Sequence, residues 1–169
     1  IASQVLGSSP TPDASGSRHV VSAFAEFAVP LIVDKPFIES LNLQIAGRYE
    51  DFSDVGSIFK PKVAMAWVMN DNAMIRGAYS GGFKAPGLPQ TTAVDVARSN
   101  TRSDPVTQTS RGTLELRNGS DSLSPEESEN YSFGIVLTPM KDLTLTVDWW
   151  EIQQENTVGI LSSQTLILY

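Results

Sequence analysis

The sequence contains no cysteine and a single histidine, His19. Disulfides and thiolate metal sites are thereby excluded, and neither a zinc centre nor a histidine-based triad has the residues it needs. Absence of cysteine fits an exported bacterial protein, although many cytosolic proteins share it. Long hydrophobic runs are also missing. No stretch approaches the roughly 20 apolar residues of a membrane helix, which excludes a helical membrane protein. Basic charge is scarce: 12 Lys and Arg stand against 19 Asp and Glu, a formal net charge of -7. A phosphate backbone wants a basic face, so no nucleic-acid partner is expected. Residues 1–17 lack the charged start and apolar run of a signal peptide. The sequence does not begin with Met, and its final LILY stops inside an apolar run, so the chain is expected to be a piece of something longer.

What is present is alternation. At 41% hydrophobic and 18% charged, the composition suits a soluble β protein almost as well as a membrane barrel, whose strands dilute their apolar content by alternating. In residues 41–49 the odd positions Leu41, Leu43, Ile45, Gly47 and Tyr49 oppose Asn42, Gln44, Ala46 and Arg48. A helix would scatter these apolar residues all round, whereas a strand gathers them on one face. The same odd-numbered face recurs in residues 21–31, 59–69, 73–83, 131–137 and 143–149. That makes about six strands, each near the roughly 9–11 residues that cross a bilayer. Leu43, Ile45, Val63, Met65, Ile135 and Val147 are expected to face lipid.

The connections differ in kind. Residues 70–72 and 139–142 read as tight turns, residues 34–40 as an atypically long turn on the same side, and residues 51–58 as a short loop on the other. Residues 86–127 are polar with little periodicity and read as a long extracellular loop, as outer-membrane barrels have. In that orientation Tyr49, Phe52, Phe59, Tyr79, Phe83, Tyr131, Trp149 and Trp150 fall near extracellular strand ends. Phe27, Phe37 and Trp67 fall near periplasmic ones, giving two interfacial aromatic belts. Pairing should follow even sums of residue numbers. A turn centred on Asp71 sets Trp67 against Ile75 and Val63 against Tyr79. A turn centred on Met140 sets Ile135 against Leu145, Phe133 against Val147 and Tyr131 against Trp149.

Two stretches resemble the TonB-dependent receptor family. The first, residues 47–90, carries Arg48-Tyr49, Phe52-Ser53, Lys60-Pro61-Lys62, Arg76, Tyr79-Ser80, Gly82-Phe83-Lys84-Ala85-Pro86 and Leu88 in the family's order and spacing. The second, residues 123–161, carries Pro125-Glu126, Tyr131, Gly134, Pro139 and Trp149-Trp150. Departures are small: Gly87 where Ser is commoner, and Gln153-Gln154 after Ile152. The closing TVGILSSQTLIL is also similar to an extension found in some members. The resemblance implies an all-β, antiparallel up-and-down meander, a partial segment of a large transmembrane β-barrel of about 22 strands. Residues 1–169 would supply about six of them, without the plug domain or the TonB box. It further implies a bacterial outer-membrane location. The implied partners are the lipid bilayer, the protein's own N-terminal plug, TonB, and a small-molecule nutrient (siderophore, cobalamin, haem or oligosaccharide).

No catalytic, metal-binding or cofactor-binding residues are expected. Arg48, Lys60, Lys62, Arg76 and Lys84 should point into the lumen, where they could contact an anionic substrate. Pairing with carboxylates of the plug or wall, or plain hydration, carries more weight, because lumen polarity in plugged barrels is mainly structural. Arg76, Gly82, Phe83, Pro86, Pro125, Glu126, Gly134 and Trp150 are expected to be structural motif residues. Pro86 lacks an N–H and should end strand pairing; Phe83 should anchor at the interface. Loop residues 87–122 are the best candidate for selectivity. Within them Asp95, Asp104, Glu115 and Asp121 lack the alternating spacing of a calcium loop. Asn118-Gly119-Ser120 matches a glycosylation triplet that means little in a bacterium. Glu126, Glu127 and Glu129 lack a companion acid/base group, and His19 is expected at the rim. Two other readings share much of this pattern: a passive porin-type barrel and a soluble β-rich binding module.

Overall fold

The structure, a computed structural model, describes residues 12–104 and 106–160. The closing extension after residue 160 lies outside the described residues. The chain divides into two compact units. The first comprises His19–Lys84 and Pro125–Thr157 and is one antiparallel sheet in chain order: β1 (Val20–Lys35), β2 (Ile38–Phe52), β3 (Gly56–Asn70), β4 (Ala73–Lys84), β7 (Glu126–Met140) and β8 (Leu143–Glu155). The expected up-and-down meander of six strands is what forms. Each strand runs 12 to 16 residues, beyond the roughly 9–11 of a minimal crossing. Among the described residues no helix is long and apolar enough to cross a membrane.

The three two-residue turns at one end of the sheet share one construction. Each strand pair closes on a two-residue turn: Pro36-Phe37, Asp71-Asn72 and Lys141-Asp142. The last paired residues are Lys35–Ile38, Asn70–Ala73 and Met140–Leu143, whose numbers sum to odd values. A bulge then follows in each hairpin, between Pro30 and Ile32, between Val68 and Asn70, and between Leu137 and Met140. A bulge absorbs one extra residue and so restores an even register. Pro30 and Pro139 border or occupy two of these bulges, where a missing ladder N–H costs least.

Several expectations are corrected here. Residues 34–40 are no long turn, because Phe37 takes a left-handed φ of 64° that lets Pro36-Phe37 reverse the chain alone. The loop expected over residues 51–58 shrinks to residues 53–55, closed by Gly56 at φ 81°. Leu31 and Met69, expected on the odd face, are skipped by the ladder; Ile32 takes the place opposite Leu41. The β3–β4 register falls as expected, with Trp67 opposite Ile75 and Val63 opposite Tyr79. In β7–β8 the even parity holds but the pairing lies two residues further along. Ile135 faces Val147, Phe133 faces Trp149 and Tyr131 faces Glu151.

The two faces differ as the alternation requires. Phe27, Val29, Ile45, Val63, Met65, Phe133, Ile135, Leu145 and Val147 are all exposed, and all are odd-numbered. So broad an apolar face, uncovered by a second layer, would be an aggregation site in water and is a matched surface in lipid. The even face carries Glu26 hydrogen-bonded by Gln44 at 2.6 Å, and Arg76 bonded to Asp148. A hollow of about 350 Å³ along it is lined by Ala28, Gln44, Ala64, Ala78, Gly134 and the Arg76–Asp148 pair.

The second unit contains Ala85–Ser124 with described residues 12–18 and 158–160. Far from lacking structure, it holds a short helix, α1 (Leu88–Thr92), and a separate hairpin of β5 (Val96–Ser103) and β6 (Ser110–Arg117). Pro86 is fully buried and its carbonyl accepts a 2.8 Å hydrogen bond from Arg18 Nη2. Gly119 closes the base of this unit: its N–H donates to the Ala93 carbonyl at 2.7 Å, and a Cβ there would meet Thr91 backbone at 2.7 Å.

Candidate functional site

The even-numbered register positions hold the cationic candidates, and four of the five meet carboxylates of this same sheet. Arg48 pairs with Glu50, which is buried at 7% exposure. Lys60 pairs with Glu127, and Lys84 with Glu126 at 3.2 Å. Arg76 bonds Asp148 through Nη2 to both carboxylate oxygens, at 2.8 and 3.0 Å, and through Nε at 3.2 Å. A two-pronged guanidinium–carboxylate contact fixes orientation as well as charge. Lys62 differs. It stands opposite Ala46 and Ser80, is exposed, and has no ion-pair or hydrogen-bond partner among the described residues.

Gly134 makes the Arg76–Asp148 contact possible. The three occupy one row, Arg76 on β4, Gly134 on β7 and Asp148 on β8. A Cβ at Gly134 would lie 2.1 Å from Asp148 Oδ1 and 3.0 Å from Arg76 Nε. The glycine leaves the gap through which charges on β4 and β8 meet over the strand between them. Gly82 plays a similar part near the rim, where a Cβ would come within 2.5 Å of Ser128 Oγ. Trp150 sits opposite Ser132 on the even face and is exposed. Pro125 immediately precedes β7, and Glu126 is its first residue.

At the same end of the sheet the simple parity breaks down. The β3–β4 ladder stops at Lys62–Ser80, one residue before Pro61, which has no N–H to continue it. Past that point even and odd side chains meet. Phe83, expected as an interfacial anchor, packs edge-on against Phe52 with centroids 6.0 Å apart, and Phe52 is buried. Lys60 likewise crosses to Glu127. On the odd face, the Tyr79 and Tyr131 rings pack at a 43° tilt with centroids 5.1 Å apart. Both hydroxyls donate to Glu129, at 3.3 and 2.7 Å. Glu129 is therefore held by a tyrosine pair. His19 joins this end through its backbone, donating to Ser53 Oγ at 3.1 Å and accepting from Ser53 N–H at 3.0 Å.

In the second unit the acidic candidates have local structural tasks. Asn118 Oδ1 accepts from the Asp95 N–H at 2.6 Å. Asp104 accepts from the Val106 and Thr107 N–H groups at 2.8 and 3.3 Å. Hydrogen bonding by the Thr107 side chain, then by the Val106 and Thr107 amides, holds the Asp104 carboxyl below its usual value. Glu115 is engaged by Asn100 at 3.0 Å, by Arg102 at 3.5 Å and by Arg117. Sequence reasoning missed the arginines of this hairpin. The register supplies the signal: Arg98, Arg102, Arg111 and Arg117 share one face.

Comparison with known proteins agrees with this architecture. Residues 2–166 match the family model described as TonB dependent receptor-like, beta-barrel. No curated protein sequence matches the chain. Among solved structures, the siderophore receptor PirA of Acinetobacter baumannii is similar over 82% of this chain and 18% of its own, at 24% identity and a TM-score of 0.62. PirA of Pseudomonas aeruginosa is similar over 81% and 24%, at 17% identity and a TM-score of 0.61. A mutant of the ferric enterobactin receptor PfeA of Pseudomonas aeruginosa is similar over 82% and 18%, at 20% identity and a TM-score of 0.63. The chain thus spans about a fifth of the structures it matches.

Proposed function

The chain belongs to the TonB-dependent receptor-like β-barrel family, a family of the Gram-negative outer membrane, and from that premise we propose that it forms part of the wall of a receptor importing a ferric siderophore. The observation that carries this reading is the pairing of faces on one sheet: exposed apolar side chains run along the odd-numbered face at mid-strand, and the Arg76–Asp148 ion pair lies on the even-numbered one. A lipid-spanning wall around an aqueous lumen needs both. The siderophore class is favoured over cobalamin, haem and oligosaccharide because the solved receptors of similar fold are siderophore receptors. In this reading the chain does no catalysis. The activity in this reading is transport: TonB acts on a plug domain, and the wall supplies the passage. Lys62 is the lumen cation left available to an anionic cargo.

The test is uptake of radioactive iron by iron-starved cells that express the protein carrying this chain. Uptake of a ferric siderophore should disappear when TonB is deleted. Uptake that persists without TonB identifies a passive porin-type barrel. A protein that remains soluble and monodisperse without detergent identifies the β-rich binding module.

A further inference from the structure

Tyr79 on β4 and Tyr131 on β7 stand directly opposite each other in the ladder. With centroids 5.1 Å apart and a 43° tilt, their ring edges lie side by side. Both phenols share one carboxylate. Tyr131 donates to Glu129 Oε2 at 2.7 Å, and Tyr79 donates to Oε1 at 3.3 Å. Glu129 is exposed and the two tyrosines are half-buried, so the trio is open to a small reagent. Tyr49 has no such company, because Ala23 and Phe59 oppose it. A phenol gives up an electron readily when its proton can leave with it. A carboxylate within hydrogen-bond reach is a group that takes such a proton.

We propose that Tyr79 and Tyr131 form an oxidative cross-linking site, with Glu129 as proton acceptor and a dityrosine bond as product. The co-reactant is a one-electron oxidant, such as the hydroxyl radical that ferrous iron makes from peroxide. Each phenol gives one electron to the oxidant and its hydroxyl proton to Glu129, which hands it on to water. The two phenoxyl radicals then join through ring carbons ortho to oxygen. The ring hydrogens at the new bond move as protons to the phenol oxygens, and both rings regain aromaticity. The product has two hydrogens fewer than the starting pair, and two hydroxyl radicals have become two waters. The bond ties β4 to β7 in a chain that has no cysteine. Closing a ring around residues 80–130 restricts the unfolded chain and so stabilises the folded one, as a disulfide does elsewhere.

The test uses the purified protein carrying this chain, in detergent, with photogenerated ruthenium(III) tris(bipyridine) as the oxidant. Tryptic cleavage after Arg76, Lys84, Arg117 and Lys141 frees residues 77–84 and 118–141 as separate peptides. After oxidation these should appear joined, two hydrogens lighter than their sum, with dityrosine fluorescence. Thermal unfolding of the oxidised protein should shift upward. Tyr79→Phe and Tyr131→Phe keep the ring packing and lose the phenol, and each should abolish the joined peptide. Glu129→Gln keeps an acceptor oxygen but cannot take up the proton. Cross-linking at neutral pH should therefore slow about tenfold or more in that variant, and the two rates should converge in alkali, where phenols ionise without help. No joined peptide from the parent protein, or joining to Tyr49 as often as to Tyr131, overturns the proposal. Equal rates in the parent and in Glu129→Gln at neutral pH overturn the part assigned to Glu129.

Discussion

Arg76 and Asp148, 72 residues apart in sequence, bond each other directly over Gly134, across the full width of an intervening strand. The contact joins β4 to β8 independently of the backbone ladder. Alanine at position 134 would place its Cβ 2.1 Å from the carboxylate oxygen. The pair must then separate or the strand must shift. We expect Gly134→Ala to cost about 1–3 kcal/mol, as overpacking typically does. Arg76→Ala should cost less, about 0–1 kcal/mol, because the pair is half-exposed. Thermal unfolding of the detergent-solubilised protein measures both, and a Gly134→Ala variant more stable than Arg76→Ala would refute the steric account.

The register of β7–β8 predicts which cysteines can be joined. Ile135 and Val147 are directly opposed, so their Cβ atoms lie about 4.5–5.5 Å apart, within small adjustments of disulfide geometry. Ile135 and Leu145 are diagonal neighbours, about 7–8 Å apart. Oxidation of the paired variant Ile135→Cys/Val147→Cys should give a cross-link, and that of Ile135→Cys/Leu145→Cys should not. The reverse result would mean that the hairpin turns about Met140 and not at Lys141-Asp142.

That bulge marks how far the sequence could be read. Six strands and their faces were legible because Val63, Met65, Ile135 and Val147 contrast sharply with Lys62, Ala64, Gly134 and Asp148. Turn lengths were not, since Pro36-Phe37 carries no Asn or Gly signal and a bulge leaves no compositional trace. The β5–β6 hairpin escaped notice for a different reason. Ser99 and Thr101 on one face are as polar as Arg98 and Asn100 on the other, so alternation has no contrast to show. The ion pairs were legible only as unpaired halves. Lys60 and Glu127 are 67 residues apart, and only the fold brings them together.

Asp104 gives the loop a pH dependence of definite sign. Its carboxyl is held below the usual value by the Thr107 side chain and by the Val106 and Thr107 amides. A depressed carboxylate stabilises the turn above its unfolded pKa and loses that contribution as pH falls through the folded value. Protection of the Val106 and Thr107 amides, measured against the intrinsic exchange rate at each pH, should therefore be high near neutrality and fall on acidification. In Asp104→Ala that protection should be low at every pH. A pH-independent difference between the two proteins would contradict the carboxylate's role.

One alternation places the odd-numbered residues of the sheet in lipid and keeps the even-numbered ones out of it. Spin labels placed singly at residues 62 to 66 and 132 to 136, in the protein carrying this chain within membranes, report it through collision with oxygen, which concentrates in the bilayer. Oxygen accessibility should peak at Val63, Met65, Phe133 and Ile135 and drop at Ala64, Ala66, Ser132 and Gly134, with a period of two. A flat profile, or peaks at the even positions, would contradict the placement of this sheet in the barrel wall.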